Sequence, residues 1–365
     1  MPGPCAGNRS PLFSPLPAEV SAGSCRAERA LARGQWVKLI CGASNQDLAA
    51  IEDLCAIYAL AGVHCIDVAA EPAVVAAARR GMAWAEARGA ERPWLMVSLS
   101  DGEDPHFRKA RFDPSRCPPD CPRPCQRVCP ALAIGAAGGV MAERCYGCGR
   151  CLPACPHQLI QEEQLLLAAE AVAPLLAELR PDAVELHTQP GRLAAFAQRL
   201  AQVQASGVAL RRLAVSCGLE RGAAGRGEQR GGGVSPRQLA AELWQRFALL
   251  RSAQQRPLWQ LDGRPMSGDV GAGTARTAVA LLKAIRPWAP PGPLQLAGGT
   301  NASSVGLLTA GDGAAGIAFG GMARSLLQPL LLQAEAHGRP LREQPNLAAA
   351  ALELARGLVT PWLQR

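Results

Sequence analysis

A short apolar run, followed by a turn and then by a helical stretch, recurs eight times between Trp36 and Phe319. The helical stretches carry their apolar residues on one face, as in Asp47–Ala61. Strands that alternate with helices predict βαβ units and a parallel sheet. The eight runs are Val37–Cys41, Cys65–Ala69, Trp94–Ser98, Ala183–His187, Leu213–Ser216, Leu258–Leu261, Leu294–Ala297 and Gly316–Phe319.

Eight such units predict an α/β fold, a (β/α)8 barrel of the TIM type, and disfavour the rival open doubly wound sheet. Residues 36–336 without an insertion over 101–161 leave about 240 residues, close to the ~250 that such a barrel needs. The insertion follows the third strand. The predicted divisions are a disordered, mobile tail over 1–34, the first part of the barrel over 35–100, the insertion over 101–161, the second part of the barrel over 162–340 and a C-terminal helix or tail over 341–365.

The second half of the insertion has the cysteine spacing of a bacterial ferredoxin, Cys-x2-Cys-x2-Cys-x3-Cys-Pro. A cubane cluster needs thiolates that converge from several directions, so a tightly coiled loop must present them. Gly147 and Gly149 permit the positive φ values of such a loop. The predicted ligands are Cys145, Cys148, Cys151 and Cys155.

The first half of the insertion carries a related run with three residues between successive cysteines: Cys117, Cys121, Cys125 and Cys129. A proline follows the last cysteine of each run, as in the two halves of a ferredoxin module. In two-cluster ferredoxins the fourth cysteine of each run binds the other cluster. We therefore expect two [4Fe–4S] clusters, one held by Cys117, Cys121, Cys125 and Cys155 and the other by Cys129, Cys145, Cys148 and Cys151.

Structural zinc is the alternative for these cysteines. Four of them fit a zinc site by spacing: Cys125, Cys129, Cys145 and Cys148. Such a site leaves the other four cysteines of the insertion unused and gives no reason for the matching Cys-Pro pairs. The spacing therefore favours iron–sulfur clusters.

The formal charge of +8 does not indicate nucleic-acid binding. Eight basic and three acidic residues lie between Pro105 and Pro156, and two clusters of about −2 each would reduce that excess to roughly +1. Aromatic residues make up only 4% of the chain, too few for a base-stacking surface. The chain has no apolar stretch of membrane-spanning length and no leader-like N-terminus, so we expect a cytoplasmic protein without a membrane span.

Several long segments resemble the light-dependent period family of cyanobacteria, over roughly residues 35–340. They are KLICGASNQ at 38–46, WLMVSLSDGEDPHFRK at 94–109, RCYGCGRCLP at 144–153 and LDGRPMSGD at 261–269. The resemblance implies an iron–sulfur protein that senses redox state, conveys it with light to the circadian clock and modulates the clock's period. It also implies clock proteins, including sensor histidine kinases, as partners, and an output by binding rather than by enzymatic catalysis.

Strand alternation points Asp67, Glu185 and His187 into the barrel near its mouth. They form either a proton-handling site or a polar layer whose hydrogen bonds are satisfied, and the second reading is favoured. His106 has no predicted partner. A basic rim of Arg108, Lys109, Arg111 and Arg116 is expected to meet partners.

Glycine pairs follow the last two barrel strands, at 298–299 and 320–321. Loops at these places hold phosphate groups in many barrels, through backbone N–H groups and a helix N-terminus. The alternative function is therefore an iron–sulfur oxidoreductase that binds a flavin or another phosphate-bearing ligand at the barrel mouth.

Overall fold

The computed structural model describes residues 25–135, 138–220, 232–266 and 271–365. Eight parallel strands close into a barrel in the order β1-β2-β3-β6-β7-β8-β9-β10, with β10 paired to β1, and β4 and β5 form a separate two-stranded sheet. The strands are β1 (Trp36–Gly42), β2 (Cys65–Ala69), β3 (Trp94–Ser100), β4 (Arg108–Arg111), β5 (Gln161–Gln164), β6 (Ala183–His187), β7 (Arg212–Gly218), β8 (Pro257–Asp262), β9 (Leu294–Ala297) and β10 (Gly316–Phe319).

Helices pack around the barrel, and their starts follow local sequence signals. The Asp47 side chain accepts a hydrogen bond from Ala50 N at the start of α2, and Ser235 and Gln238 form a capping box at the start of α8. Among the described helices, none combines the length and apolar character needed to cross a bilayer. The helices are α1 (Arg26–Arg33), α2 (Leu48–Ala61), α3 (Pro72–Glu86), α4 (Pro124–Arg127), α5 (Cys151–Ala154), α6 (Ala169–Leu179), α7 (Leu193–Ala205), α8 (Pro236–Ser252), α9 (Ala275–Ile285), α10 (Gly321–Ala336) and α11 (Pro345–Leu363).

The barrel closes, so the predicted fold class is confirmed and the open-sheet rival is wrong. Each of the eight predicted runs lies within one barrel strand. At the closing pair Trp36 lies opposite Gly316, and a Cβ on Gly316 would lie 2.3 Å from Trp36 Cδ1. Glycine is required there because the indole fills the space beside it.

The predicted mobile tail over 1–34 is wrong for its last part, because α1 forms there. Ala27, Ala30 and Leu31 are buried and pack with side chains such as Leu258 at the bottom of the barrel. Glu28 also binds Arg212 of β7, at 2.7 Å between Oε2 and Nη2. Residues 1–24 lie outside the described part of the chain.

The insertion leaves and re-enters the barrel through the antiparallel pair β4–β5. It follows β3, as predicted, and Leu165 N donates to Phe107 O at 2.6 Å just beyond the paired strands. Since β5 ends at Gln164, the two-stranded stem continues past the predicted boundary at 161. The two strands that connect the insertion to the barrel are therefore adjacent at the barrel mouth.

Candidate functional site

A buried lysine organises the polar layer in the middle of the barrel. Lys38 Nζ donates to Asp67 Oδ2 at 3.0 Å and to Glu185 Oε2, and its side chain is completely buried. Burial alone would lower the pKa of Lys38, but the two carboxylates outweigh it and raise the pKa. Asp67 also accepts from Ser98 Oγ at 2.8 Å, and Gln260 donates to Glu185 at 2.9 Å. The layer is therefore largely satisfied by its own hydrogen bonds, as the favoured reading expected.

The polar layer continues to the mouth through His187. Its Nε2 lies 2.9 Å from Glu185 Oε1 and its Nδ1 lies 4.0 Å from Asp104 Oδ1. Burial would lower the pKa of His187, but the hydrogen bond and charge of Glu185, with the charge of Asp104, raise it to about 9. Burial would likewise raise the pKa of Glu185, yet the charge of Lys38 and the hydrogen bond from His187 lower it to about 2.

His106 has a partner, contrary to the prediction. Its Nδ1 lies 2.7 Å from Asp104 Oδ1, and its ring stands 4.8 Å from that of His187, centroid to centroid. Burial would raise the pKa of Asp104, but the charge and hydrogen bonds of His106 and the charge of His187 hold it well below its usual range. Within the described residues, Asp104, His106 and His187 form a group with one potential ligand atom each, all within 4.8 Å of one another. These contacts are also those of a buried ion-pair cluster.

One cysteine group surrounds a small cavity next to the barrel. Burial raises the pKa of Cys151 to about 12, and the charges of the neighbouring thiolates act in the same direction, so a metal centre would relieve their repulsion. Backbone amides donate to two of the sulfurs: Ala110 N to Cys145 Sγ at 3.3 Å and Ala133 N to Cys129 Sγ at 3.2 Å. The group consists of Cys129, Cys145, Cys148 and Cys151.

The other group is formed by the remaining four cysteines of the insertion. Burial raises the pKa of the Cys125 thiol, and the charges of Cys155, Cys117 and Cys121 raise it further, so these four side chains are electrostatic neighbours. Cys117 and Cys121 are half-buried, whereas Cys125 and Cys155 are buried. The structure thus places the fourth cysteine of each run with the first three of the other.

The zinc alternative requires a different arrangement. Sulfurs around tetrahedral zinc lie about 3.8 Å apart, because each Zn–S bond is about 2.3 Å. Among the described residues, Cys125 instead neighbours Cys117, Cys121 and Cys155, while Cys129, Cys145 and Cys148 line a cavity with Cys151. The four cysteines of the zinc alternative are therefore divided between two groups.

Two glycines shape the loop that carries the second run. Gly147 and Gly149 have φ values of +74° and +77°, as expected from the sequence. A Cβ on Gly147 would lie 2.3 Å from Arg108 O, and one on Gly149 would lie 2.2 Å from Arg108 Nη2. Arg108 Nε donates to Gly147 O at 2.8 Å. The loop therefore folds tightly around the stem strand β4.

The predicted basic rim is wrong for two of its four residues. Arg108 and Lys109 are buried. Arg108 binds Glu162 Oε2 at 2.6 Å, and Lys109 donates to Gln46 and to the carbonyl of Ala142. They hold the insertion together and against the barrel, because a buried cation must find partners. Arg111 and Arg116 are exposed, as expected.

Several residues of the mouth were missed by the sequence reasoning. Lys38 lies within the first predicted strand run, and a lysine inside an apolar run is itself a signal of a buried ion pair. Arg324, in the first turn of α10, gave no local signal. Its guanidinium lies 4.2 Å from the centre of the Tyr146 ring, between Cys145 and Gly147 of the insertion.

The chain matches two protein-family models. Residues 117–166 match the LdpA Fe-S cluster-binding domain, and residues 175–361 match the light dependent period A C-terminal domain. Fold and site together therefore define a class, iron–sulfur proteins built on a (β/α)8 barrel.

The curated protein Light dependent period A of Synechococcus elongatus is 46% identical over 344 residues, which cover 92% of this chain and 93% of that protein. The chain belongs to the light dependent period A family. Among solved structures, it is similar to the YdjI aldolase of Escherichia coli K12 (9% identity, TM-score 0.44, 93% and 92% of the two chains). It is also similar to a putative fructose-1,6-biphosphate aldolase of Coccidioides immitis (13% identity, TM-score 0.42, 93% and 94%).

Proposed function

We propose that this protein holds two [4Fe–4S] clusters, senses cellular redox state through them and conveys light-dependent changes to the circadian clock, modulating its period. The single observation that carries the proposal is the sorting of eight cysteines into two crossed groups of four. When bound, the clusters supply one-electron redox chemistry. The clock role rests on the family and on the printed name of the relative.

The two groups differ in what surrounds them, although each combines two buried with two half-buried cysteines. The Cys117 group, which includes Cys155, follows the exposed Arg116 along the chain. The Cys145 group lies beside Tyr146, which lines the barrel mouth. The amides of Ala110 and Ala133 hydrogen-bond to sulfurs of this second group and stabilise negative charge there.

The output is binding to clock proteins, including sensor histidine kinases, in the cytoplasm, rather than catalysis. Each electron changes the charge of the insertion by one, next to the exposed Arg111, Arg116 and Arg127. A state change alters binding only if the partner interacts differently with the two states. A charge change beside exposed arginines supplies such a difference, and added salt will weaken it.

Anaerobic purification with metal analysis tests the cofactor. We expect a brown protein with about eight irons per chain, and stoichiometric zinc without visible absorption would overturn the cluster proposal. Crossed ligation predicts which variants affect the same cluster. The single variants Cys155→Ala and Cys125→Ala must each damage one cluster, and the single variants Cys129→Ala and Cys151→Ala must each damage the other.

Electron paramagnetic resonance of the reduced variants distinguishes these pairs, and Cys25→Ala, outside the insertion, is the matched control that keeps both clusters. If Cys155→Ala and Cys151→Ala leave the same residual spectrum, both cysteines bind the same cluster. Ligation then occurs within each run, and the crossed arrangement is refuted.

Partner binding is measured with oxidised and reduced protein against a clock sensor histidine kinase. We expect affinities that differ between the two states, and a difference that shrinks in Arg111→Gln/Arg116→Gln and at higher salt. Equal binding in both states would reduce the protein to a passive scaffold.

The second candidate is a flavin-linked oxidoreductase, favoured by the cavity at the barrel mouth beside Tyr146. A visible spectrum recorded after cluster removal separates the two: retained flavin bands support the enzyme. A colourless barrel supports the sensor.

A further inference from the structure

A cavity of about 110 Å³ opens at the barrel mouth, between the ends of the strands and the insertion. One side is formed by the polar layer, with Glu185 and His187, and by Asp262 at the end of β8. The lining also includes the start of α10 with Arg324, the side chain of Tyr146 and a second arginine, Arg264. The charges of the polar layer are balanced by ion pairs within that layer, whereas Arg324 and the start of α10 have no such pairing among the described residues.

The start of α10 presents backbone amides to the cavity. The first bond of this 16-residue helix runs from Arg324 N to Gly320 O, at 3.1 Å, and within the described chain no side chain caps this end. The amides of Gly321, Met322 and Ala323 therefore have no acceptor within the helix. Gly321 and Met322 line the cavity, so donors and the positive end of the helix dipole meet there.

Arg324 provides an independent second observation. The residue is only 9% exposed and lines the cavity, yet its Nε is buried without a hydrogen-bond partner. Its Nη1 donates to Ile40 O at 2.8 Å and its guanidinium lies over the Tyr146 ring, so both of these partners are neutral. Among the described residues no carboxylate is paired with Arg324, whereas the other buried arginines, Arg108, Arg212 and Arg246, each bind one.

Gly320 keeps the space beside that guanidinium open. A Cβ there would meet only ordinary contacts, 3.5 Å from Ile40 and 3.7 Å from Arg324 Nη1. A side chain at this position would therefore project towards the guanidinium and narrow the cavity. The glycines at 298 and 299 are different, because a Cβ on either would collide with backbone atoms of Arg264 or Thr274.

We propose that this cavity binds the phosphate group of a small phosphate monoester, held by the amides of Gly321 and Met322 and by the guanidinium of Arg324. Glu185, His187 and Asp262, which also line the cavity, then offer hydrogen-bonding groups to the remainder of the bound monoester. A free sugar phosphate and a flavin mononucleotide share this phosphate chemistry. The inference rests on the barrel and not on the proposed clock function.

The test uses the full-length protein with its clusters, titrated by calorimetry at constant ionic strength. The probes are inorganic phosphate and two matched pairs, flavin mononucleotide with riboflavin and glucose 6-phosphate with glucose. We expect inorganic phosphate and at least one monoester to bind, and neither unphosphorylated partner to bind. Absence of binding by every phosphate at millimolar concentration overturns the inference.

A charge placed at Met322 tests the location. Met322→Glu puts a carboxylate in the first turn of α10, where an acidic residue favours the helix, and Met322→Gln controls for the lost packing of Met322 against the core. The same carboxylate repels a phosphate in the cavity, and we expect at least about tenfold weaker binding. Met322→Gln, of equal size and no charge, should bind within about threefold of the parent.

Equal affinities for phosphate in the Glu and Gln variants would overturn the location. Iron content, measured in every variant, separates this inference from the proposed function. Absence of phosphate binding in the parent protein with full iron refutes the assigned site and leaves the cluster proposal standing. Phosphate binding by a parent protein that holds no iron supports the assigned site and refutes the cluster proposal.

Discussion

Replacing Lys38 by methionine tests whether the buried polar layer depends on its central cation. Lys38, Asp67, Glu185 and His187 carry two positive and two negative charges, and the side chain of Lys38 is completely enclosed. Methionine fills much of the same space without charge, so packing is largely preserved. The variant is left with one uncompensated buried carboxylate, which costs about 3–5 kcal/mol of unfolding free energy.

The pH dependence identifies the cause of that loss. Burial already raises the pKa of Asp67 against the opposing charge of Lys38, and removal of Lys38 raises it further. A carboxyl whose folded pKa is raised stabilises the fold at low pH, and this contribution is lost as the pH rises above its unfolded value of about 4. The deficit of the variant should therefore shrink by up to about 1.4 kcal/mol per pH unit between pH 7 and pH 5.

Urea unfolding followed by circular dichroism measures both effects. Lys38→Met/Asp67→Asn restores neutrality, so it should recover at least half of the lost stability. A single variant within about 1 kcal/mol of the parent at pH 7, or a deficit independent of pH, would refute the reasoning.

Three further predictions concern other parts of the molecule. The pKa of His187 is raised to about 9, so its charged form adds up to about 3 kcal/mol that is fully present below pH 6.5 and lost as the pH rises towards 9; urea midpoints should show this fall in the parent and not in His187→Gln. Gly147→Ala should lower iron content and melting temperature, because its Cβ would strike the Arg108 carbonyl, whereas Gly89→Ala, also at positive φ but with no atom within 4 Å, should keep its iron; equal iron in both would contradict the steric argument. Leu31→Ala should cost about 2–4 kcal/mol in urea unfolding, and a cost near zero would mean that α1 does not seal the barrel.

The barrel was predictable because each of its strands is a short apolar segment that differs sharply from its flanks. Cys65–Ala69 and Ala183–His187 coincide with the observed strands to the residue. Helix α1 was not predicted because its sequence does not differ from its flanks by an apolar run: four of its eight residues are arginine or glutamate. Its stability comes from packing under the barrel. In a segment of eight residues, burial against another element does not require a recognisable apolar pattern in the sequence.

The grouping of the cysteines was predictable from spacing, whereas the charges around them were not. Arg108 and Lys109 were assigned to an exposed rim on charge alone, yet the β4–β5 stem buries both. The contact between His106 and Asp104 depends on the turn that enters this stem, and Arg324 reaches Tyr146 from the far end of the chain. Such contacts are set by how the insertion docks on the barrel, which a linear pattern does not encode.

The paired stem β4–β5 also bears on how the protein responds to oxidative loss of its iron. Because the insertion enters and leaves through adjacent strands, it is a side branch of the chain, and none of the eight barrel strands belongs to it. Its local unfolding must break contacts such as those of Lys109 with Gln46 and of Arg324 with Tyr146, but none of the strand pairing of the barrel. A chain stripped of its iron by oxidation would then keep an intact barrel on which the branch can refold around fresh iron and sulfide, so that oxidative damage calls for repair rather than for replacement of the whole protein.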